Sequence, residues 1–168
     1  MSVCIIYHSE TGNTRIVAEQ VASATGGVLI EVKDLAGYSK LGMYLKGAPR
    51  AAQGKKNEIE PAVIDVSGYD AVVVGTPVWA GNPTPAVNAA VAALKGIEGK
   101  AAVVFCTSGG APRKALDTMT AMLADRGADV RGAVALTARE VRKPEAVEPL
   151  IGLVLPFAAG KTEEPVVQ

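Results

Sequence analysis

Val3-Cys4-Ile5-Ile6-Tyr7 is an unbroken apolar run of strand length, the pattern of a strand covered on both faces. It breaks at His8 into a polar, glycine-containing stretch. Ile16, Val17, Val21 and Ala24 then recur on one stripe of a helix that Gly26-Gly27 should close. Val28 to Val32 predicts a second strand, and Asp70 to Gly75 a third that is apolar after its first residue. Thr84 and Pro85 suit the N-cap and first turn of a helix whose Val87, Ala90, Val91 and Leu94 keep helical spacing. Ala101 to Cys106 predicts a fourth strand, and a helix from Pro112 should turn Leu116, Met119, Met122 and Leu123 inward before Gly127. Val130, Val134 and Leu136 alternate like an edge strand, and a last helix is expected over Pro144 to Ala159, with Pro149 and Pro156 blurring its limits.

Strands this apolar, alternating with helices, imply an α/β fold with a parallel sheet covered on both faces. Right-handed crossovers and five strands favour a doubly wound sheet of order 2-1-3-4-5. The length suits one domain, over residues 1–159, with 160–168 as a loose tail. In such a sheet the ligand crevice lies at the carboxyl ends of the strands, where the loops after Tyr7, Gly75 and Cys106 converge.

The first loop, Ser9-Glu10-Thr11-Gly12-Asn13-Thr14, is rich in hydroxyls and opens a helix. Backbone N–H groups, the helix dipole and O–H donors can cradle a phosphate there without a cationic side chain, and Gly12 allows close approach. A plain helix cap would need only one of these hydroxyls. Glu10 must then point outward to solvent. Neither a Gly-Lys-Ser/Thr nucleotide loop nor the acidic cluster of a phospho-acceptor domain is present.

The second loop, Thr76-Pro77-Val78-Trp79-Ala80-Gly81-Asn82-Pro83, contains the only tryptophan. Aromatics are 4% of the chain, so a Trp at a crevice is informative. Trp79 could stack on a flat ligand or cover the sheet end, and taken alone both readings stand. The third loop, Thr107-Ser108-Gly109-Gly110, offers small side chains and free backbone donors. Cys106 and Arg113 imitate a phosphatase cradle, but one residue too many lies between them. His8 has no triad or metal partner in the sequence.

Charge and composition narrow the picture. Net charge is zero, which gives no global field for nucleic acid or a membrane surface. Lys40, Lys46, Arg50, Lys55 and Lys56 nevertheless crowd the stretch between Asp34 and Glu58 without an acid among them. They read either as a solvated face or as a docking surface for an acidic redox partner near Lys46 and Arg50. Cys4 and Cys106 lie in strand runs and form no disulfide framework or metal set. With no leader-like start and no bilayer-length apolar run, a cytoplasmic protein is expected.

Tyr7 to Thr14 resembles the phosphate loop of flavodoxins, Gly75 to Gly81 resembles the isoalloxazine loop of flavodoxin-like proteins, and Thr107 to Gly110 is similar to the third loop of the short-chain branch. The resemblance spans nearly the whole chain and implies a flavodoxin-like fold with FMN as cofactor. It implies that Ser9, Glu10, Thr11, Gly12, Asn13 and Thr14 hold the phosphate. Pro77, Val78, Trp79, Ala80, Gly81, Asn82, Thr107, Ser108, Gly109 and Gly110 would line the ring. No metal is implied, and no side chain need be catalytic, since the cofactor does the redox chemistry.

Three departures bear on function. The chain is neutral where carrier flavodoxins are acidic. Ser108 to Pro112 offers no second aromatic for the ring. The segment Gly37 to Pro61 is long, with Tyr38, Leu41, Tyr44 and Leu45 on a helical stripe that could fold over the site or meet a partner. The leading expectation is an electron carrier between redox partners. The alternative is an FMN-dependent NAD(P)H:quinone or flavin reductase, and a third reading is a binding module without flavin.

Overall fold

The computed structural model describes residues 1–158, so the expected tail, and Ala159 with it, lie outside the described residues. Five parallel strands form the centre: β1 (Val3–Tyr7), β2 (Val28–Glu31), β3 (Ala71–Trp79), β4 (Ala101–Ser108) and β5 (Asp129–Thr137). Their spatial order is β2-β1-β3-β4-β5, the expected doubly wound arrangement. Ile5 pairs with Leu29 on one side and Val73 on the other, and Val73 pairs onward with Val103.

The strand period of two sorts the apolar runs onto two layers. Cys4, Ile6, Val72, Val74, Ala102 and Val104 meet helices α2 (Pro85–Ala92) and α3 (Ala115–Asp125). Val3, Ile5, Val73, Val103 and Phe105 meet α1 (Asn13–Thr25) and α4 (Pro144–Val154). Gly75 is required by a close approach, because a Cβ there would lie 2.2 Å from the buried Phe105 ring.

Several boundaries differ from the sequence pattern for identifiable reasons. Strand β3 does not stop at Gly75 but runs to Trp79 and folds back, Val78 opposite Pro83 and Trp79 opposite Asn82. Ala80 (φ 49°) and Gly81 (φ 77°) make the two-residue turn, whose positive φ values match the strand twist. Strand β4 likewise continues through Thr107 and Ser108. Helix α1 buries Thr14, Val17, Ala18, Val21 and Thr25, while Ala24 is exposed. The buried threonines sit at its two ends, where a purely hydrophobic count does not see them. Helix α3 begins at Ala115, after a turn from Pro112. The last helix gives way to a 3-10 turn over Leu155–Phe157. Among the described residues no helix is long and apolar enough to cross a membrane.

The segment between β2 and β3 is helical from Lys40 to Ala52, with a π-helical turn at Met43–Gly47. Its apolar stripe faces out, with Leu41, Tyr44 and Leu45 exposed, and its small residues Gly47 and Ala51 are buried. Asn57 ties the segment down: it accepts from Arg50 Nε (2.8 Å) and donates to Asp34 (2.9 Å) and to the Tyr38 hydroxyl (2.8 Å). Arg50 also donates to the Lys56 carbonyl at 2.6 Å. Arg50 is therefore held within the segment by neutral acceptors, which leave its charge unpaired among the described residues; Lys46 is exposed.

Candidate functional site

At the carboxyl edge of the sheet a cavity of about 370 Å³ is lined by Glu10, Thr11, Asn13, Met43, Tyr44, Ala48, Pro77, Val78, Trp79, Ala80, Thr107, Ser108, Gly109 and Ala138. That volume falls within the range of small-molecule sites, roughly 300–1,000 Å³. A larger hollow, about 580 Å³, lies between Leu35, Lys56–Ile59 and the end of α2. It is distant from the loop donors at the strand ends, so the smaller cavity is the better candidate.

The first loop is built as an open set of donors. Gly12 caps α1 in the left-handed region (φ 91°) and provides no side-chain acceptor for the first turn. No backbone acceptor takes the N–H groups of Glu10 to Thr14 among the described residues, and Ser9 Oγ accepts only from the Arg15 N–H, at 3.3 Å. Arg15 itself is paired with Glu31 on the surface. Thr14, nearly fully buried, hydrogen-bonds Thr107 Oγ1 at 2.9 Å and so joins the first loop to the third.

Glu10 is restrained by His8. The imidazole, 3% exposed, places Nε2 3.1 Å from Glu10 Oε1 and Nδ1 3.0 Å from Thr84 Oγ1. The hydrogen bond from His8 holds the Glu10 carboxyl below its usual range, against the opposing effect of burial. His8 is thus neither a lone loop residue nor a metal ligand but the middle of a chain from the first loop to the N-cap of α2.

Trp79 belongs to the cavity wall but is only 8% exposed. His8 and Tyr38 meet it edge to face, with ring centroids 6.0 and 5.8 Å away. Gly47 lies so close that a Cβ would sit 2.7 Å from the indole. The absence of a side chain at Gly47 is what lets the inserted segment rest on Trp79.

The sequence-predicted residues therefore divide. Glu10, Thr11, Asn13, Pro77, Val78, Trp79, Ala80, Thr107, Ser108 and Gly109 share the cavity. Ser9, Gly12, Thr14, Gly81, Asn82 and Gly110 stand behind it: Thr14 through its bond to Thr107, Asn82 by donating to the Ala80 carbonyl at 2.9 Å, and Gly110 by accepting from Ser108 Oγ at 2.8 Å. Met43, Tyr44, Ala48 and Ala138 are additions. The first three come from the segment flagged by its apolar stripe, but that stripe did not show which face would meet the site. Ala138 arrives through its N–H, which donates to the Ser108 carbonyl at 2.8 Å.

Both cysteines are buried, and burial pushes the thiols up to about 12 for Cys4 and about 11 for Cys106. Neither is poised as a nucleophile, and Cys106 lies in β4 rather than in a phosphatase loop. Among the described residues no group of three His, Cys, Asp or Glu side chains could hold a metal ion.

A family model described as NADPH-dependent FMN reductase matches residues 1–140. No curated protein matches the sequence. Among solved structures, a flavoprotein in complex with FMN from Lactobacillus acidophilus is 28% identical, with a TM-score of 0.63, covering 86% of this chain and 98% of that one. A flavodoxin from the domain Archaea is 13% identical (TM-score 0.60, coverage 94% and 96%). A WrbA-like flavodoxin from Agrobacterium tumefaciens is 15% identical (TM-score 0.59, coverage 94% and 99%). These last two share the fold.

Proposed function

The chain belongs to the NADPH-dependent FMN reductase family, and from that premise we propose that it holds FMN in the strand-end cavity and reduces it with a nicotinamide nucleotide. FMN is its cofactor. The residues fit the group: the unpartnered N–H groups of Glu10 to Thr14, with the Ser9 and Thr11 hydroxyls, are donors suited to a terminal phosphate. His8 holds the Glu10 carboxylate by a hydrogen bond, which fixes where the acid sits beside the cradle. Pro77 to Ala80 and Thr107 to Gly109 form walls for a flat ring, and backbone N–H groups there can meet its polar edge.

Bound there, FMN would supply a two-electron centre able to take a hydride from a nicotinamide and return the electrons to an acceptor such as a quinone or another flavin. The protein's part is to bind, orient and shield: Ser9 to Thr14 would hold the phosphate, and Pro77 to Ala80 with Thr107 to Gly109 would orient the ring. One observation favours a reductase over the carrier expected first. Met43, Tyr44 and Ala48 roof the cavity beside Trp79, making a pocket with a mouth rather than a ring edge laid open to a protein partner. Zero net charge agrees with this reading, since it gives no global field to steer an acidic partner.

The test is anaerobic mixing of FMN-loaded protein with NADPH. Bleaching of the flavin at a rate that saturates with nucleotide is the expected result. A flavin that stays oxidised with both NADPH and NADH, yet is reduced by a one-electron donor, would return the carrier reading to first place.

A further inference from the structure

Of the seven arginines in the chain, four have internal partners. Arg15 pairs with Glu31, Arg50 binds Asn57, Arg126 binds the carbonyls that end α2, and Arg131 pairs with Asp129. Arg113, Arg139 and Arg142 have no hydrogen-bond or ion-pair partner among the described residues, and the first two adjoin the lining: the Arg113 stem lies against Gly81, next to Ala80, and Arg139 follows Ala138. The nearest acid in its turn, Glu140, is already occupied by the Thr137 N–H (2.8 Å) and hydroxyl (2.9 Å).

Arg113 is the more unusual. Its backbone is left-handed (φ 46°), a conformation that favours Gly or Asn and disfavours a long side chain. Its stem nevertheless lies across the hairpin tip: a Cβ on Gly81 would be 2.7 Å from Arg113 Cδ. The Lys114 N–H donates to the Gly81 carbonyl at 2.9 Å and fixes this register. Three consecutive needs are met at once, namely positive φ at Ala80 and Gly81 and no side chain at Gly81. The result is an exposed Arg113 whose stem is held against Gly81, next to Ala80 of the cavity lining, with no ion-pair partner among the described residues. A strained backbone carrying a long cation is an outlier that asks for a ligand.

We propose that Arg113, assisted by Arg139 on the adjoining loop, binds phosphate groups of the incoming nicotinamide nucleotide at the cavity mouth. Guanidinium matches phosphate oxygens in a bidentate fork, which an ammonium does not. The inference rests on the reductase reading and adds to it the residues that hold the hydride donor. Arg113 is a binding residue for the nucleotide, separate from the FMN phosphate loop at the other end of the cavity.

The experiment is steady-state reduction by NADPH and by NADH, using FMN-loaded wild type, Arg113→Gln, Arg113→Lys and Arg139→Gln. Arg113→Gln should raise the KM for NADPH roughly tenfold, the scale of one charge-assisted hydrogen bond, with kcat and FMN affinity unchanged. It should also flatten the rise of KM with salt, and Arg113→Lys should recover only part of the loss. An effect confined to NADPH assigns the contact to the ribose phosphate; an equal effect on NADH assigns it to the pyrophosphate. Unchanged KM for both nucleotides in Arg113→Gln would overturn the proposal. Wild type that neither nucleotide reduces would instead overturn the reductase reading itself.

Discussion

The two ends of the cavity are built differently. At the end formed by the first loop, support comes from buried polar bonds: Thr14 to Thr107, and Glu10 through His8 to Thr84. At the roofed end the inserted segment is tied at its base by Asn57, but where it meets the cavity support comes from shape: Gly47 against Trp79, and Arg113 against Gly81 on the neighbouring hairpin. Buried hydrogen bonds hold directions to a few tenths of an ångström, and leaving one partner unmatched is costly. Packing between small residues tolerates sliding and reopening. A site that must grip one ligand and admit another profits from having one end of each kind.

The comparison is most severely tested at Trp79, which joins both ends. Trp79→Ala removes a largely buried indole and should cost about 3–5 kcal/mol in urea unfolding. Loss of ring stacking should weaken FMN binding by roughly 1–3 kcal/mol. A normal urea midpoint with weakened binding would make Trp79 a platform alone; the reverse would make it packing alone. Thr14→Val strands the Thr107 hydroxyl, and an unfolding loss of about 1–3 kcal/mol is expected with a parallel loss of FMN affinity. Gly47→Ala forces a methyl into the indole, so a cost of about 1–3 kcal/mol is expected, unless the roof lifts. If it lifts, stability stays near wild type while FMN dissociates faster, which would show that shape holds the segment against Trp79.

A smaller effect is expected from pH. Glu10 has a lowered carboxyl pKa in the folded protein, so its contribution is fully present above the unfolded value, about 4.3, and fades as pH falls through the folded one. Urea midpoints of wild type and Glu10→Gln should therefore differ at neutral pH and converge in acid. A gap that persists in acid would mean that the carboxylate charge is not what His8 stabilises. The smallest change in stability belongs to Tyr44→Ala, at a residue 71% exposed: within about 0.5 kcal/mol in unfolding. Its flavin should nevertheless exchange severalfold faster if the roof retains the ring.

Much of this was legible in the chain because it is local. The apolar runs at Val3–Tyr7 and Ala101–Cys106 could only be strands covered on both sides, and Thr84-Pro85 opens α2 as its residue types require. The hydroxyl loop and its Gly12 were visible for the same reason. The roof was harder to see, because a helical stripe shows that a segment is amphipathic but not which neighbour it meets. The stripe of Tyr38, Leu41, Tyr44 and Leu45 left open whether the segment folds over the site or meets a partner; Tyr44 lines the cavity, and the segment packs through Gly47 and Ala51. Close approach to an indole rewards the absence of a side chain, which leaves no hydrophobic signal.

By itself, then, the order of apolar runs and loops determined the doubly wound sheet, the end of the sheet where the three loops and their cavity lie and the donor-rich character of the first loop. Each follows from period, handedness and backbone chemistry within a few residues. Only the tertiary structure decided that His8 restrains Glu10 through a bond anchored 76 residues away. It alone decided that Trp79 is wall rather than open platform, and that Arg113 is left unpaired at the mouth. Those outcomes depend on which surfaces meet across the chain, and contact between distant residues is set by the packing of the whole layer rather than by any one stretch of sequence.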